Sequence, residues 1–126
     1  MEMVIGGAFQ GKETYAKMTY PEVEWKEAKD LDEDGLCRAQ GVLGFQEYIR
    51  KSLKEEKDLE NLVLRLKKEN PDVILVSEEV GYGIVPIDAF ERKYREAVGR
   101  ICTELAGYSK RVIRVVCGIG TVIKNG

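Results

Sequence analysis

Apolar residues follow two different spacings along this chain. In three places they form nearly continuous runs, which are typical of strands buried on both faces of a parallel sheet: Met3–Ile5, Val73–Val76 and Val112–Val116. Elsewhere they recur every three or four positions against lysines and glutamates, as in amphipathic helices: Phe45, Tyr48, Ile49 and Leu53, then Leu59, Leu62, Val63 and Leu66, then Ile87, Phe90, Tyr94, Ala97, Val98, Ile101 and Leu105. This alternation predicts an α/β fold whose mainly parallel sheet is flanked by helices.

The boundaries of these elements are marked by glycine, proline and asparagine. Asn70-Pro71-Asp72 predicts a sharp stop before the second strand, and Gly107 is expected to end the last helix. Gly118-Ile119-Gly120 then predicts a turn into Thr121-Val122-Ile123, which gives an antiparallel hairpin at the edge of the sheet. The pattern from residue 44 to residue 69 fits either two helices or one broken helix.

Residues 19–44 carry a weaker pattern. Val23 and Trp25 alternate with Glu22 and Glu24, which allows a short edge strand but equally a surface excursion. The topology of this stretch is therefore left open.

Composition places the chain among ordinary single-domain proteins. It has 126 residues, of which 44% are hydrophobic and 33% charged, so we expect one domain spanning residues 1–126. The net charge of −2 and the interspersed acids and bases argue against nucleic acid or a membrane surface as the partner. Three widely spaced cysteines, Cys37, Cys102 and Cys117, are read as small buried hydrophobes, and a cytoplasmic location is expected.

Histidine does not occur anywhere in the sequence. A histidine general base, a Ser-His-Asp triad and a phosphohistidine intermediate are therefore all excluded. Any catalysis must rest on carboxylates, lysine, arginine and a metal ion.

A glycine loop directly follows the first strand and resembles the phosphate-binding pattern G-x-x-x-x-G-K-S/T. Its residues are Gly6, Gly7, Ala8, Phe9, Gln10, Gly11, Lys12, Glu13 and Thr14. Gly6, Gly11 and Lys12 fit the spacing, and a helix from Lys12 to about Met18 would point its positive end at the loop. Glu13 stands where the pattern has a hydroxyl for Mg²⁺, and Thr14 comes one position late. The loop predicts binding of a nucleoside triphosphate with Mg²⁺.

Two acids, Glu78 and Glu79, follow the apolar run Val73–Val76. An acid at the carboxyl end of such a strand commonly orders the Mg²⁺ of a bound triphosphate. A solvated strand end is the simpler alternative, but the glycine loop upstream favours a metal role for Glu78 and Glu79 near Lys12.

Three segments in the second half, ILVSEEVGYGIVP, ERKYREAVGRICTELA and VVCGIGTVIK, resemble the carboxyl half of the bifunctional adenosylcobinamide kinase/adenosylcobinamide-phosphate guanylyltransferases. The opening VIGGAFQGKE resembles the start of that family, so the resemblance covers roughly the first 18 and last 55 residues but not the middle third. It implies a RecA-like P-loop NTPase fold and a small symmetric homo-oligomer. It further implies phosphorylation of the adenosylcobinamide hydroxyl by ATP or GTP, followed by guanylyl transfer through a histidine.

Departures from that family bear on the activity. The missing histidine implies that guanylyl transfer is lost, Glu13 places a carboxylate where phosphate oxygens should lie, and the chain is shorter than the family's. Cys102 and Thr103 stand where the family has polar amides.

Three hypotheses follow. The first is a reduced cobinamide kinase in which Lys12 and the loop amides hold the nucleotide, Glu78 or Glu79 positions Mg²⁺ or acts on the acceptor hydroxyl, and Arg95 or Arg100 balances charge across subunits. The second is a non-catalytic relative that binds a nucleotide, a corrinoid or a protein. The third is a phosphotransferase for another small substrate.

Overall fold

A computed structural model of the chain describes residues 1–80 and 88–126. The strands of the described part are β1 (Glu2–Gly6), β2 (Trp25–Glu27), β3 (Gly41–Leu43), β4 (Ile74–Glu78), β5 (Arg111–Val116) and β6 (Ile119–Asn125). The helices are α1 (Lys12–Thr19), α2 (Glu33–Leu36), α3 (Phe45–Lys54), α4 (Leu59–Glu69) and α5 (Ala89–Tyr108), with a 3₁₀ turn at Ala28–Asp30. None of the described helices is long and apolar enough to cross a membrane.

The strands form one sheet in the order β2-β3-β4-β1-β5-β6. β1 lies between two parallel partners, so Met3 is opposite Leu75 on β4 and Val112 on β5. β6 pairs with β5 in the antiparallel direction. The predicted parallel sheet with an antiparallel edge hairpin is therefore confirmed, and the carboxyl ends of β1 to β5 share one edge.

Alternate residues of the central strands point to opposite faces of the sheet. Met3, Leu75 and Val112 belong to the larger core, which they share with α3, α4 and α5. Val4 and Ile113 belong to a smaller core beneath α1. Burial on both faces explains why these strands read as continuous apolar runs.

The sequence left two readings open, and the structure decides both. Residues 44–69 form two helices, α3 and α4, because Glu56 takes a positive φ of 54° and the Asp58 side chain caps α4 by accepting from the N–H of Asn61. In the stretch 19–44 the edge strand is correct, since β2 begins at Trp25. The three-residue strand β3, which lies between β2 and β4, was not predicted.

Three details of the sequence interpretation need correction. α5 continues past Gly107 to Tyr108, and Ser109 caps it. The hairpin turn consists of Cys117 and Gly118, whose φ angles are 52° and 75°, while Ile119 and Gly120 already belong to β6. Of the three cysteines only Cys37 is fully buried, and Cys117 is exposed. The segment 81–87, which contains Gly81, Tyr82 and Gly83 of the motif ILVSEEVGYGIVP and Ile87 of the predicted helical stripe, lies outside the described residues.

Candidate phosphate-binding site

The glycine loop connects β1 to α1 at the carboxyl edge of the sheet. Gly6 must be glycine because a Cβ there would lie 2.7 Å from the carbonyl oxygen of Val115. Gly11 has a left-handed φ of 83° and is the N-cap of α1, a conformation that glycine adopts without strain. The amino end of α1 therefore opens directly onto the loop, where unpaired backbone N–H groups favour an anion.

Lys12 is the first residue of α1. Its Nζ donates to the carbonyl oxygen of Gly7 across the loop at 3.4 Å. A hollow of about 390 Å³ lies beside it and is lined by Ala8, Phe9, Gly11, Lys12, Glu13, Thr14 and Glu78. The ammonium group and the helix terminus thus act on the same small volume, which suits a phosphate chain.

Glu13 and Thr14 both lie in the first turn of α1, exposed, and both line this hollow. The Glu13 carboxylate is favourable for the helix terminus, but it competes with an anionic ligand for the same positive end. The Thr14 hydroxyl, although one position late in sequence, borders the hollow as well. The loop therefore contains a hydroxyl and a carboxylate where the usual pattern has a hydroxyl alone.

The β5–β6 turn packs against the glycine loop. The main-chain oxygen of Gln10 accepts from the N–H of Gly118, and its side-chain Oε1 accepts from the N–H of Cys117, both at 2.7 Å. Tyr15 lies over Gly120, where any added Cβ would lie within 2.2 Å of the ring. Since a trans peptide directs its C=O and N–H to opposite sides, the Gly11 N–H points away from the hairpin.

The two acids after Val76 point in different directions. Glu78 is in register with Gly6 and borders the hollow beside Lys12. Glu79 is anchored by its N–H to the oxygen of Gly6 at 2.7 Å, and its carboxylate accepts from Arg114 Nε at 2.8 Å. Of the pair, Glu78 is the one that lines the hollow beside Lys12.

A second polar residue supports Glu78. Gln46, in the first turn of α3, accepts a hydrogen bond through Oε1 from the Glu78 N–H at 3.0 Å and is 8% exposed. Sequence reasoning missed Gln46 because a single amide next to the helical apolar stripe carries no signal of its own. It missed Arg114 because nothing local connects β5 with the end of β4.

A second cavity of about 220 Å³ lies between the sheet and α5. Apolar side chains, together with Glu78, Glu79, Cys102 and Thr103, line it. Burial raises the pKa of the Cys102 thiol, which lies 3.5 Å from Ser77 Oγ. Arg100 is paired with Glu60 and Glu96 where α4 meets α5.

Within residues 1–80 and 88–126, no group of three or more histidine, cysteine or acidic side chains could hold a metal by itself. Mg²⁺ in nucleotide sites typically takes one or two carboxylates and completes its shell with phosphate oxygens and water. Glu78, at the edge of the hollow, fits that requirement.

Comparison with known proteins gives two kinds of match. The sequence model of a family described as cobinamide kinase / cobinamide phosphate guanyltransferase matches residues 36–123, more than half of the chain. The bifunctional adenosylcobalamin biosynthesis protein CobU of Escherichia coli K12 is 37% identical over 67 residues, and that of Salmonella typhimurium LT2 is 46% identical over 52.

These matches differ in extent from the resemblance seen in the sequence. They cover 53% and 41% of this chain but only 37% and 29% of the two relatives, so the chain spans well under two thirds of the proteins it matches. The family match includes the middle of the chain from residue 36, where no resemblance was expected, and begins after the glycine loop. The loop is therefore identified by its own geometry.

Proposed function

The chain belongs to the cobinamide kinase / cobinamide phosphate guanyltransferase family, and from this we propose that it is a nucleoside triphosphate-dependent kinase for the hydroxyl of adenosylcobinamide. The observation that carries the proposal is the common hollow of Gly11, Lys12 and Glu78 at the amino end of α1. It combines a cation, helix-end N–H groups and one carboxylate, which are the components that phosphoryl transfer uses.

Each side chain then has a distinct task. Lys12 balances the charge of the triphosphate, and the loop amides orient it. Glu78 holds Mg²⁺, which when bound neutralises charge on the phosphate oxygens. Glu79 acts on the acceptor hydroxyl, and its ion pair with Arg114 fixes the direction of the carboxylate.

Guanylyl transfer is proposed to be lost. The family's histidine-linked intermediate has no counterpart in a chain without histidine. The kinase reaction needs no covalent enzyme intermediate, since positioning and charge stabilisation suffice for it.

A non-catalytic relative is the second candidate, and Glu13 is the observation that favours it. Its carboxylate borders the same hollow as Lys12, so it opposes the phosphate chain electrostatically. In this case nucleotide or corrinoid binds without turnover.

A homo-oligomer and a cytoplasmic location complete the proposal. Strand β6 lies at the sheet edge and exposes Ile119, Val122 and Ile123 at 70%, 43% and 55%. Exposed apolar edge strands favour association with another chain. Light scattering coupled to gel filtration, on the wild type and on Ile119→Lys, tests the oligomer.

Nucleotide binding is tested first. Thermal unfolding is followed with Mg-ATP or Mg-GTP, with and without cobinamide, because ligand binding to the folded state raises Tm by mass action. We expect a rise of several degrees in the wild type and none in Lys12→Ala. Lys17→Ala, an exposed lysine in the last turn of α1, is the matched control and should behave like the wild type.

Turnover is tested next by transfer of labelled γ-phosphate from ATP or GTP to cobinamide. Labelled cobinamide phosphate that depends on Lys12 is the expected product. Nucleotide binding without any labelled product would instead establish the non-catalytic relative. No binding of either nucleotide would contradict the kinase and leave a non-catalytic relative that binds a corrinoid or a protein.

A further inference from the structure

Beside the phosphate-binding loop, the carboxyl end of β3 presents an open position at Gly44. Gly44 has a left-handed φ of 68° and is the N-cap of α3, where no side chain caps the helix. Among the described residues, and apart from its chain neighbours, a Cβ on Gly44 would find two atoms within 4 Å: Gln46 Nε2 and Glu27 Oε2, each at 3.9 Å. A donor and an acceptor thus border the same small space.

The donor is fixed in orientation. Gln46 Oε1 is committed to the Glu78 N–H at 3.0 Å, so Nε2 must be on the other side of the amide. Its two N–H groups have no hydrogen-bond partner in residues 1–80 and 88–126. Gln46 is 8% exposed as a whole residue, but among the described residues its Nε2 is not one of the fully buried side-chain atoms that lack a partner. The two N–H groups are therefore open to an acceptor that arrives from solvent.

The hydrogen-bond acceptor is the carboxylate of Glu27, which lies on the neighbouring strand β2. Glu27 is the last residue of β2 and is exposed. Among the described residues it makes no ion pair or hydrogen bond through its carboxylate. The uncapped amino end of α3 adds further N–H donors on the side of Gln46.

These features select the chemistry of the occupant. An anion would be repelled by Glu27, and a cation would leave the Gln46 donors unused. A neutral group that both accepts and donates, such as a hydroxyl or a primary carboxamide, satisfies both sides at once.

We propose that Gln46 and Glu27 form a subsite for a hydroxyl or carboxamide group of the phosphoryl acceptor, held over Gly44. β4 separates β3 from β1, so the subsite lies about 10 Å from the strand of the phosphate loop at ordinary strand spacing. The subsite positions the acceptor at a second point beside the nucleotide. This inference rests on the proposed kinase function.

Two variants test the subsite, one by removing the Gln46 donor and the other by removing the Glu27 carboxylate. Gln46→Glu keeps an oxygen for the Glu78 N–H but removes the free donors, and Glu27→Gln removes the carboxylate at an exposed position that does not affect folding. Glu47→Gln, an exposed carboxylate beside Gln46, is the control for the change in charge. The probe is cobinamide, titrated by absorbance in the presence of a non-hydrolysable Mg-nucleotide.

We expect Gln46→Glu and Glu27→Gln each to weaken cobinamide binding by roughly tenfold. The nucleotide affinity of Glu27→Gln should stay within about twofold of the wild type, and Glu47→Gln should be unchanged in both. In the wild type, cobinamide should also shift the side-chain amide NMR signals that Gln46→Glu lacks. The same signals, followed with 1-propanol and with acetamide, distinguish a hydroxyl from a carboxamide.

The inference is overturned if both variants bind cobinamide as tightly as the wild type, or if saturating cobinamide leaves the Gln46 amide signals unmoved. It is also overturned if the wild type binds no cobinamide. Lys12-dependent nucleotide binding is measured in the same samples, so a failed subsite is distinguished from a failed nucleotide site.

Discussion

The main-chain carbonyl of Gln10 accepts a hydrogen bond from the N–H of Gly118 at 2.7 Å, which joins the phosphate-binding loop to the β5–β6 turn. The Gln10 side chain adds a second bond, to the Cys117 N–H, also at 2.7 Å. Together they hold the peptide between Gln10 and Gly11 in one orientation before any ligand arrives. The loop is thus preorganised by residues that lie more than a hundred positions downstream.

Gln10→Ala should weaken Mg-nucleotide binding by roughly fivefold to tenfold. Without the Gln10 side chain the loop is less ordered before binding, so more conformational entropy is lost when the nucleotide binds. Isothermal titration measures the effect. Gln40→Ala is the matched control, since Gln40 makes a similar side-chain bond to the Glu24 N–H far from the loop. Equal affinities of the two variants would show that the hairpin does not orient the loop.

Glu13→Thr should strengthen Mg-nucleotide binding by roughly tenfold, a gain of about 1.4 kcal/mol. The substitution removes a carboxylate from the hollow and restores the hydroxyl of the usual pattern. Titration with Mg-ATP and Mg-GTP measures it, and Glu22→Thr controls for the loss of one surface charge. If Glu13→Thr binds no better than Glu22→Thr, repulsion by Glu13 is not what limits affinity.

Cys117→Asn should stabilise the fold by about 1 kcal/mol. Both turn residues have positive φ angles, as in a type I′ hairpin, where Asn-Gly is strongly preferred. The exposed thiol contributes no packing that would be lost. Thermal unfolding measures the change. Gly118→Ala should have the opposite effect, because alanine is strained at this positive φ and its Cβ, which meets no other atom, gains no contact in return.

Glu78→Gln and Glu79→Gln should separate metal binding from stability. Glu78→Gln should raise the Mg²⁺ concentration needed for nucleotide binding, with little change in Tm. Glu79→Gln should instead lower stability by about 1 kcal/mol, because it breaks the ion pair of a carboxyl that is only 15% exposed. Titrations at several Mg²⁺ concentrations, with unfolding curves for both variants, test this division, and the reverse pattern would contradict it.

Thiol labelling should distinguish the three cysteines. Cys117 is exposed and should react first with a disulfide reagent at pH 8, whereas burial raises the pKa of both Cys37 and Cys102. A raised pKa means less thiolate at a given pH and slower reaction. Mg-nucleotide should slow the labelling of Cys117, and mass spectrometry of the labelled peptides identifies the order.

Those elements that have either a continuous apolar run or a repeated helical spacing of apolar residues could be predicted from the sequence. β1, β4, β5 and the helices α3, α4 and α5 all belong to this class. β3 has only three residues, Gly41–Leu43, and α2 only four, so each spans about one period and no apolar position recurs often enough to be recognised. β3 is held by its pairing with β4, and α2 by the burial of Leu36 in the larger core, rather than by local preference.

The residues of the candidate site also fall into two groups, those that a local sequence pattern identifies and those that only the fold brings together. The glycine loop and the acids after Val76 are local signals, and the structure brings Glu78 to the hollow of Lys12. The contacts of Gln46 with Glu78 and of Gln10 with Gly118 join distant segments. A pattern within one stretch of chain contains no information about such contacts.

The central position of β1 determines when the site can form during synthesis. Glu2 is opposite Ile74 on one side and Arg111 on the other, so β1 leaves the ribosome well before either of its two sheet partners. Pairings of such long sequence separation form slowly, and the loop is completed only when Cys117 and Gly118 reach Gln10. A nucleotide at the proposed site would therefore not assist the early folding of the nascent chain and would stabilise only the finished domain.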